Sequence, residues 1–166
     1  MMEFLQWLED LRFSAWIRES GSIWSYPLVL TLHTVGLGIV VGISCAVDLR
    51  ILGVARAVPL RPFEKFFPLM WWGFWINAAS GLVLLMADAT TKMTNWLFYV
   101  KLGLILAALL VQKRIDRHVF RSDDAGAAER TLAWYSLVLW TLAITAGRLT
   151  AYIGPVSGLP GAVNKF

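Results

Sequence analysis

The chain reads as an all-α integral membrane protein: a four-transmembrane-helix antiparallel bundle with an N-terminal amphipathic interfacial helix. Three observations predict this. Hydrophobic residues make up 58% of the 166 residues, and mean hydropathy is +0.62. Charged residues amount to only 16% and gather between long apolar stretches rather than among them. Four of those stretches reach the roughly 20 residues a helix needs to cross the hydrocarbon.

The elements follow in order. Within residues 1–20, Phe4, Leu5, Trp7, Leu8, Leu11 and Trp16 recur at helical spacing among Glu, Asp and Arg. That pattern predicts a helix lying along the membrane surface, an anchor rather than a span. The spans are placed at Ile23 to Val47, Phe66 to Ala87, Trp96 to Gln112 and Leu132 to Ile153. Trp7, Trp16, Trp24, Trp96 and Trp134 fall near the ends of these segments, where indole prefers the interface. Short connections make up-and-down packing the simplest topology, in one membrane domain covering 1–166. Thr34, Gly38, Gly42 and Ala46 on the first span and Gly73, Asn77 and Gly81 on the second form small-residue stripes. Such stripes let backbones approach closely, or leave room for a flat cofactor. The segment Pro155 to Pro160, with Gly154, Gly158 and Gly161, reads as an irregular tail.

Charge placement sets the expected orientation and excludes some functions. Arg50, Arg56, Arg61 and Lys65 follow the first span; Lys113, Arg114, Arg117, Arg121 and Arg130 follow the third. These face the cytoplasm of a bacterial inner membrane by the positive-inside rule, which puts both termini in the periplasm. The net charge of +4 therefore reflects topology and not nucleic-acid binding. Cys45, the single cysteine, allows neither an internal disulfide nor a thiolate metal cluster. No cleavable leader is expected at the N-terminus, because Glu3, Glu9, Asp10 and Glu19 interrupt it. Phosphate loops, HExxH, nucleophile–base pairs and clustered carboxylates are absent from the sequence, so no soluble-enzyme mechanism is suggested.

The chemistry that remains lies in ionisable residues inside the spans. His33 falls near mid-membrane, where such a group is costly enough to be a functional hypothesis by default. It is either a metal ligand or a neutral histidine bonded to another helix. Gly36, one turn on, removes bulk from the same face. Lys101 and Arg148 each lie about five residues inside the outer end of their spans, at one depth just above His33. One axial ligand with two cations beside it suits heme b, whose iron takes imidazole and whose propionates pair with Lys and Arg. Taken singly, each cation could instead snorkel to the headgroups. Tyr26, Tyr99 and Tyr152 share that depth as donors. His118, about 25 Å along the axis from Lys101, is read as a solvated loop residue. Asp48 and Arg50 are read as a boundary pair, and Asn77 as helix glue. The sixth iron position would be open, or taken by Lys101, Met70, Met86 or another subunit.

The runs WSYPLVLTLHTVGLGIVVG, AVDLRILG, WLFYVKLGLILAALL and AGRLTAYIG resemble a family of small bacterial four-span membrane proteins over nearly the whole chain. The histidine of the first span and the KLxL start of a later one are more distantly similar to HemJ-type protoporphyrinogen oxidases and CopD-type membrane domains. The oxidase resemblance implies heme b on His33, with Lys101 at the position of that family's lysine. The chain departs from it in lacking a histidine near the intramembrane end of the lysine-bearing helix. Heme binding is thus implied more directly than porphyrinogen oxidation. Three functions are expected in turn. The first is a heme b protein that passes electrons to quinone or to a membrane oxidoreductase subunit. The second is a copper or other metal permease of CopD type. The third is a structural or accessory subunit whose buried charges stabilise a larger assembly or bind an anionic lipid at the level of Lys101 and Arg148, and a homo-oligomer is a further expected partner.

Overall fold

The computed structural model describes residues 2–119, 126–150 and 152, with the side chains of 118 and 119 excepted. Helices account for the regular structure: α1 (Met2–Asp10), α2 (Arg12–Glu19), α3 (Tyr26–Ile51), α4 (Phe67–Met86), α5 (Ala89–Met93), α6 (Trp96–Val119) and α7 (Ala127–Leu149). A 3-10 helix, Arg61–Phe66, leads directly into α4. Four segments are long and apolar enough to cross a membrane: Tyr26–Ile51, Arg61–Met86, Trp96–Arg117 and Ala127–Leu149. The chain is therefore a multi-pass helical membrane protein.

Local chemistry sets the helix limits. Pro27 in the first turn of α3 has no N–H to leave unpaired, and its fixed φ starts the helix. Ser25 before it is buried and donates to the carbonyls of Ser20 and Ser22 at 3.0 and 2.6 Å. At the other end Gly53 adopts φ +99°, a conformation costly for any residue with a Cβ, and the chain turns there. Arg50 donates to the carbonyls of Val58 and Arg56 and so braces the turn.

Several boundaries differ from the sequence reading. The expected single N-terminal helix is two, broken at Leu11, whose ψ of 135° is extended. The break allows Leu5 of α1 and Ile17 of α2 both to be buried while Phe4, Trp7, Phe13 and Trp16 stay exposed. Helix α6 does not stop at Gln112 but runs to Val119, because Ile115 is buried and keeps the charged last turns attached. Residue 118 thus belongs to a helix and not to a loop. The fourth span begins at Ala127, earlier than expected. Arg121, Ile153, Lys165 and the Pro155 to Pro160 tail lie outside the described residues.

The closest pairings are α3 with α4 and α6 with α7, and α3 against α7 joins the two hairpins. The apolar core holds Val40, Val47, Ile51, Phe67, Met70, Ala108, Ile115, Ala133 and Trp140. Val47, Ile51, Phe67, Met70, Ile115 and Ala133 lie toward the end that carries the basic connections, and Val40, Ala108 and Trp140 lie near mid-span. Trp7, Trp16, Trp24, Trp96 and Trp134 are all exposed, as are Trp72 and Trp75 within the second span.

Of the two small-residue stripes, only that of α4 is used in packing. Gly73, Asn77 and Gly81 face α3, but they meet Gly36, Ile39 and His33 rather than the Thr34–Gly38–Gly42–Ala46 row. That row is exposed, with nothing within 4 Å of a Cβ built on Gly38 or Gly42. Both rows have the same four-residue spacing, and it is the rotation of α3 that decides between them.

Candidate functional site

His33 is fixed by α4. Its Nδ1 lies 2.9 Å from the main-chain oxygen of Asn77 and 3.3 Å from Ser80 Oγ. A carbonyl can only accept, so Nδ1 carries the proton and Nε2 is left with its lone pair. Asn77 returns the contact, donating through Nδ2 to the His33 carbonyl at 2.7 Å. Ser80 holds its hydroxyl toward the carbonyls of Ile76 and Asn77, at 2.6 and 3.1 Å. Gly81 is what lets the ring approach: a Cβ there would come within 2.9 Å of Cε1 and 3.3 Å of Nδ1. Nε2 makes no hydrogen bond among the described residues.

This arrangement suits a ligand. Histidines that bind metals commonly donate their second ring N–H to a carbonyl, which fixes tautomer and ring orientation. A bare metal ion has no ready cage: no group of three or more His, Cys, Asp or Glu that could hold one occurs among the described residues. An iron porphyrin brings four of its own ligands and needs only an axial imidazole, so His33 fits that group.

The remaining expected residues divide. Lys101 is half-buried, lies over Gly147 of α7, where a Cβ would meet its Cε at 3.4 Å, and is within electrostatic reach of His33 and Lys92. It makes no ion pair among the described residues, unlike Lys92, which bonds the Leu84 carbonyl at 2.8 Å and Asp88 at 3.6 Å. Arg148, next to Gly147, is exposed, as is Tyr152, and neither hydrogen-bonds His33 or Lys101. Gly36 leaves no open space beside His33. A Cβ there would meet Asn77 N and Gly73 O at 2.7 Å, so its missing side chain is filled by the backbone of α4. Tyr99 is tied to the Met93 carbonyl at 2.9 Å.

Asp48 overturns an expectation. It forms no pair with Arg50 but is fully buried, and Gln112 Nε2 donates to both its carboxyl oxygens at 3.1 Å. The same Nε2 lies 2.8 Å from Ser136 Oγ, so α3, α6 and α7 share one polar cluster. The sequence held a faint signal of it: Gln112 and Ser136 are polar positions flanked by apolar residues at helical spacing.

A multi-pass membrane chain, helical throughout its described regular structure, with a histidine of its first span bonded to the second is thus the class of protein the fold and site define. Neither a protein-family model nor a curated protein nor a solved structure matches it.

Proposed function

We propose that this is a heme b protein of the bacterial inner membrane that transfers electrons, with His33 as the axial ligand and Lys101 and Arg148 beside the propionates. The observation that carries this reading is the His33 imidazole, held inside a span by the Asn77 carbonyl at 2.9 Å with Nε2 unpaired. Bound there, heme would supply one-electron chemistry, while the chain supplies burial, the imidazole and the neighbouring cation. Lys101, half-buried with no acidic partner among the described residues, suits a propionate. Quinone or a membrane oxidoreductase subunit is the proposed electron partner.

The bundle is read as antiparallel. Pairing of His33 with Asn77, Gly36 with Gly73 and Ser44 with Met70, and of Gln112 with Ser136, supports it. By the positive-inside rule the basic connections after α3 and α6 support a cytoplasmic side at that end, with both termini periplasmic and α1 and α2 at the outer interface.

A reduced-minus-oxidised visible spectrum with a pyridine hemochrome assay on the detergent-purified protein tests the proposal. A b-type signal is expected in the wild type, absent from His33→Ala and unchanged in His118→Ala. Full heme in the His33 variant removes the ligand assignment.

A further inference from the structure

The Asp48 cluster is a second polar centre, separate from His33 and at the opposite end of α3. Asp48 sits one turn before the helix ends at Ile51, yet its side chain is shielded from solvent entirely, as are those of Gln112 and Ser136. The carboxyl accepts from Gln112 Nε2 at 3.1 Å to each oxygen and shares a hydrogen bond with Ser136. No cation pairs with it among the described residues. The ion pairs among the described residues are Arg18 with Glu19 and Lys92 with Asp88, and Arg50 is turned away to loop carbonyls. A carboxylate in so dry a place requires a proton or a cation to offset its charge.

Gln112 gives the second observation. Its Oε1 is buried without a hydrogen-bond partner, and Trp140 Nε1, one turn beyond Ser136 on α7, is likewise unpaired. Unpaired buried acceptors are rare and call for an explanation. With Asp48 ionised, the amide must present Nε2 to it, which orphans Oε1. With Asp48 protonated, the amide can reverse and Oε1 can accept the carboxyl O–H. The structure holds the first of these arrangements, with Nε2 on the carboxyl.

A second carboxyl lies on the same helix as Gln112. Asp116 lies one turn beyond Gln112 on α6, half-buried, and is within electrostatic reach of Arg117 and of the exposed Glu64 on the 3-10 helix. Four residues apart, Gln112 and Asp116 share one face of α6, with Asp116 nearer the basic end. The other groups around Asp48 are Cys45 on its own helix, Ser136 on α7, and Ser44, whose hydroxyl is directed to Met70 Sδ of α4 at 3.6 Å.

We propose that Asp48 is a reversible proton-binding site, loaded from water at the basic end through Asp116, with reversal of the Gln112 amide accompanying the proton. On loading, the Asp48 carboxylate gains one proton and its O–H donates to Gln112 Oε1. Asp116 passes on a proton and regains one from water, and no electron moves. The site does not depend on heme at His33.

Infrared difference spectroscopy of the purified full chain between high and low pH tests this. A carboxylic-acid C=O band should grow on acidification, shift in D2O, vanish in Asp48→Asn, and move in Gln112→Leu, where the acceptor is gone. Asp116→Asn should keep the band's amplitude but slow its exchange in D2O severalfold. Identical difference spectra for wild type and Asp48→Asn overturn the proposal, as does a band that responds to sodium at fixed pH but not to pH. Should Asp48→Asn fail to fold, carbon-13 aspartate in the wild type decides: an acid band without an isotope shift overturns the site. Unchanged exchange in Asp116→Asn overturns the route.

Discussion

His33 and Asn77 hold one another reciprocally, each side chain bonded to the other's main-chain oxygen. The two bonds do different work, because only the one from Nδ1 sets the tautomer. Asn77→Ala removes the Nδ2 bond to the His33 carbonyl but keeps the Asn77 main-chain oxygen. It should therefore cost only about 0.5–1.5 kcal/mol and leave heme bound. Gly81→Ala should do the reverse. Its Cβ would come within 2.9 Å of the imidazole Cε1, pushing the ring off the Asn77 carbonyl. Heme content by hemochrome should fall in Gly81→Ala and hold in Asn77→Ala, while unfolding in mixed detergent should rank their stabilities. His33 itself was legible from one polar letter in an apolar run. Ser80 as its second contact was not, because a serine in a span reads equally well as a bond to its own helix, which Ser80 also makes to Ile76.

Helices α3 and α4 approach most closely at glycines, Gly36 against the α4 backbone and Gly73 and Gly81 against the side chains of Ile39 and His33. The α4 stripe was readable from spacing, since Gly73, Asn77 and Gly81 recur every four residues. The face of α3 was not, because two faces of that helix carry small residues and the tighter one includes only Gly36 and Ser44. Substitution separates them. Gly36→Ala places a methyl 2.7 Å from backbone atoms that cannot move aside singly, and should destabilise the hairpin by about 1–3 kcal/mol. Gly38→Ala meets nothing within 4 Å and should change stability by no more than about 0.5 kcal/mol. Reversible unfolding of both variants in the same detergent checks the contrast, and equal losses would contradict the observed rotation of α3.

Across the molecule, the main apolar cluster runs from mid-span to the basic end, while His33 and Lys101 toward the other end remain half-buried. The N-terminal helices close part of that second end. Glu9 accepts from the Thr90 N–H at 2.6 Å and from its hydroxyl at 2.7 Å, capping the start of α5, and Arg18 reaches the Ala87 carbonyl at 3.5 Å. A charge-assisted cap of this kind is worth about 1–2 kcal/mol. Glu9→Ala should accordingly raise amide hydrogen exchange over Ala89–Met93, whereas Glu3→Ala, altering an exposed residue, should leave it unchanged. The sequence marked residues 1–20 as amphipathic, but their fold-back onto α5 depends on a carboxylate contact spanning 81 positions, which no local pattern encodes.

The sequence by itself determined that the chain is helical and crosses a membrane in four segments. Hydrocarbon accepts only backbone that satisfies its own hydrogen bonds, so apolar length alone enforces the helices. It also singled out His33 and Lys101, because an ionisable group in such a segment stands out against its neighbours. Tertiary structure decided which side of each helix faces inward. That choice turned Gly36 into a backbone contact, left Gly38 and Gly42 exposed, and drew Asp48 away from Arg50 into a cluster with Gln112 and Ser136. Rotation about a helix axis changes no local property of the chain, so only the packing of one helix against another could fix it.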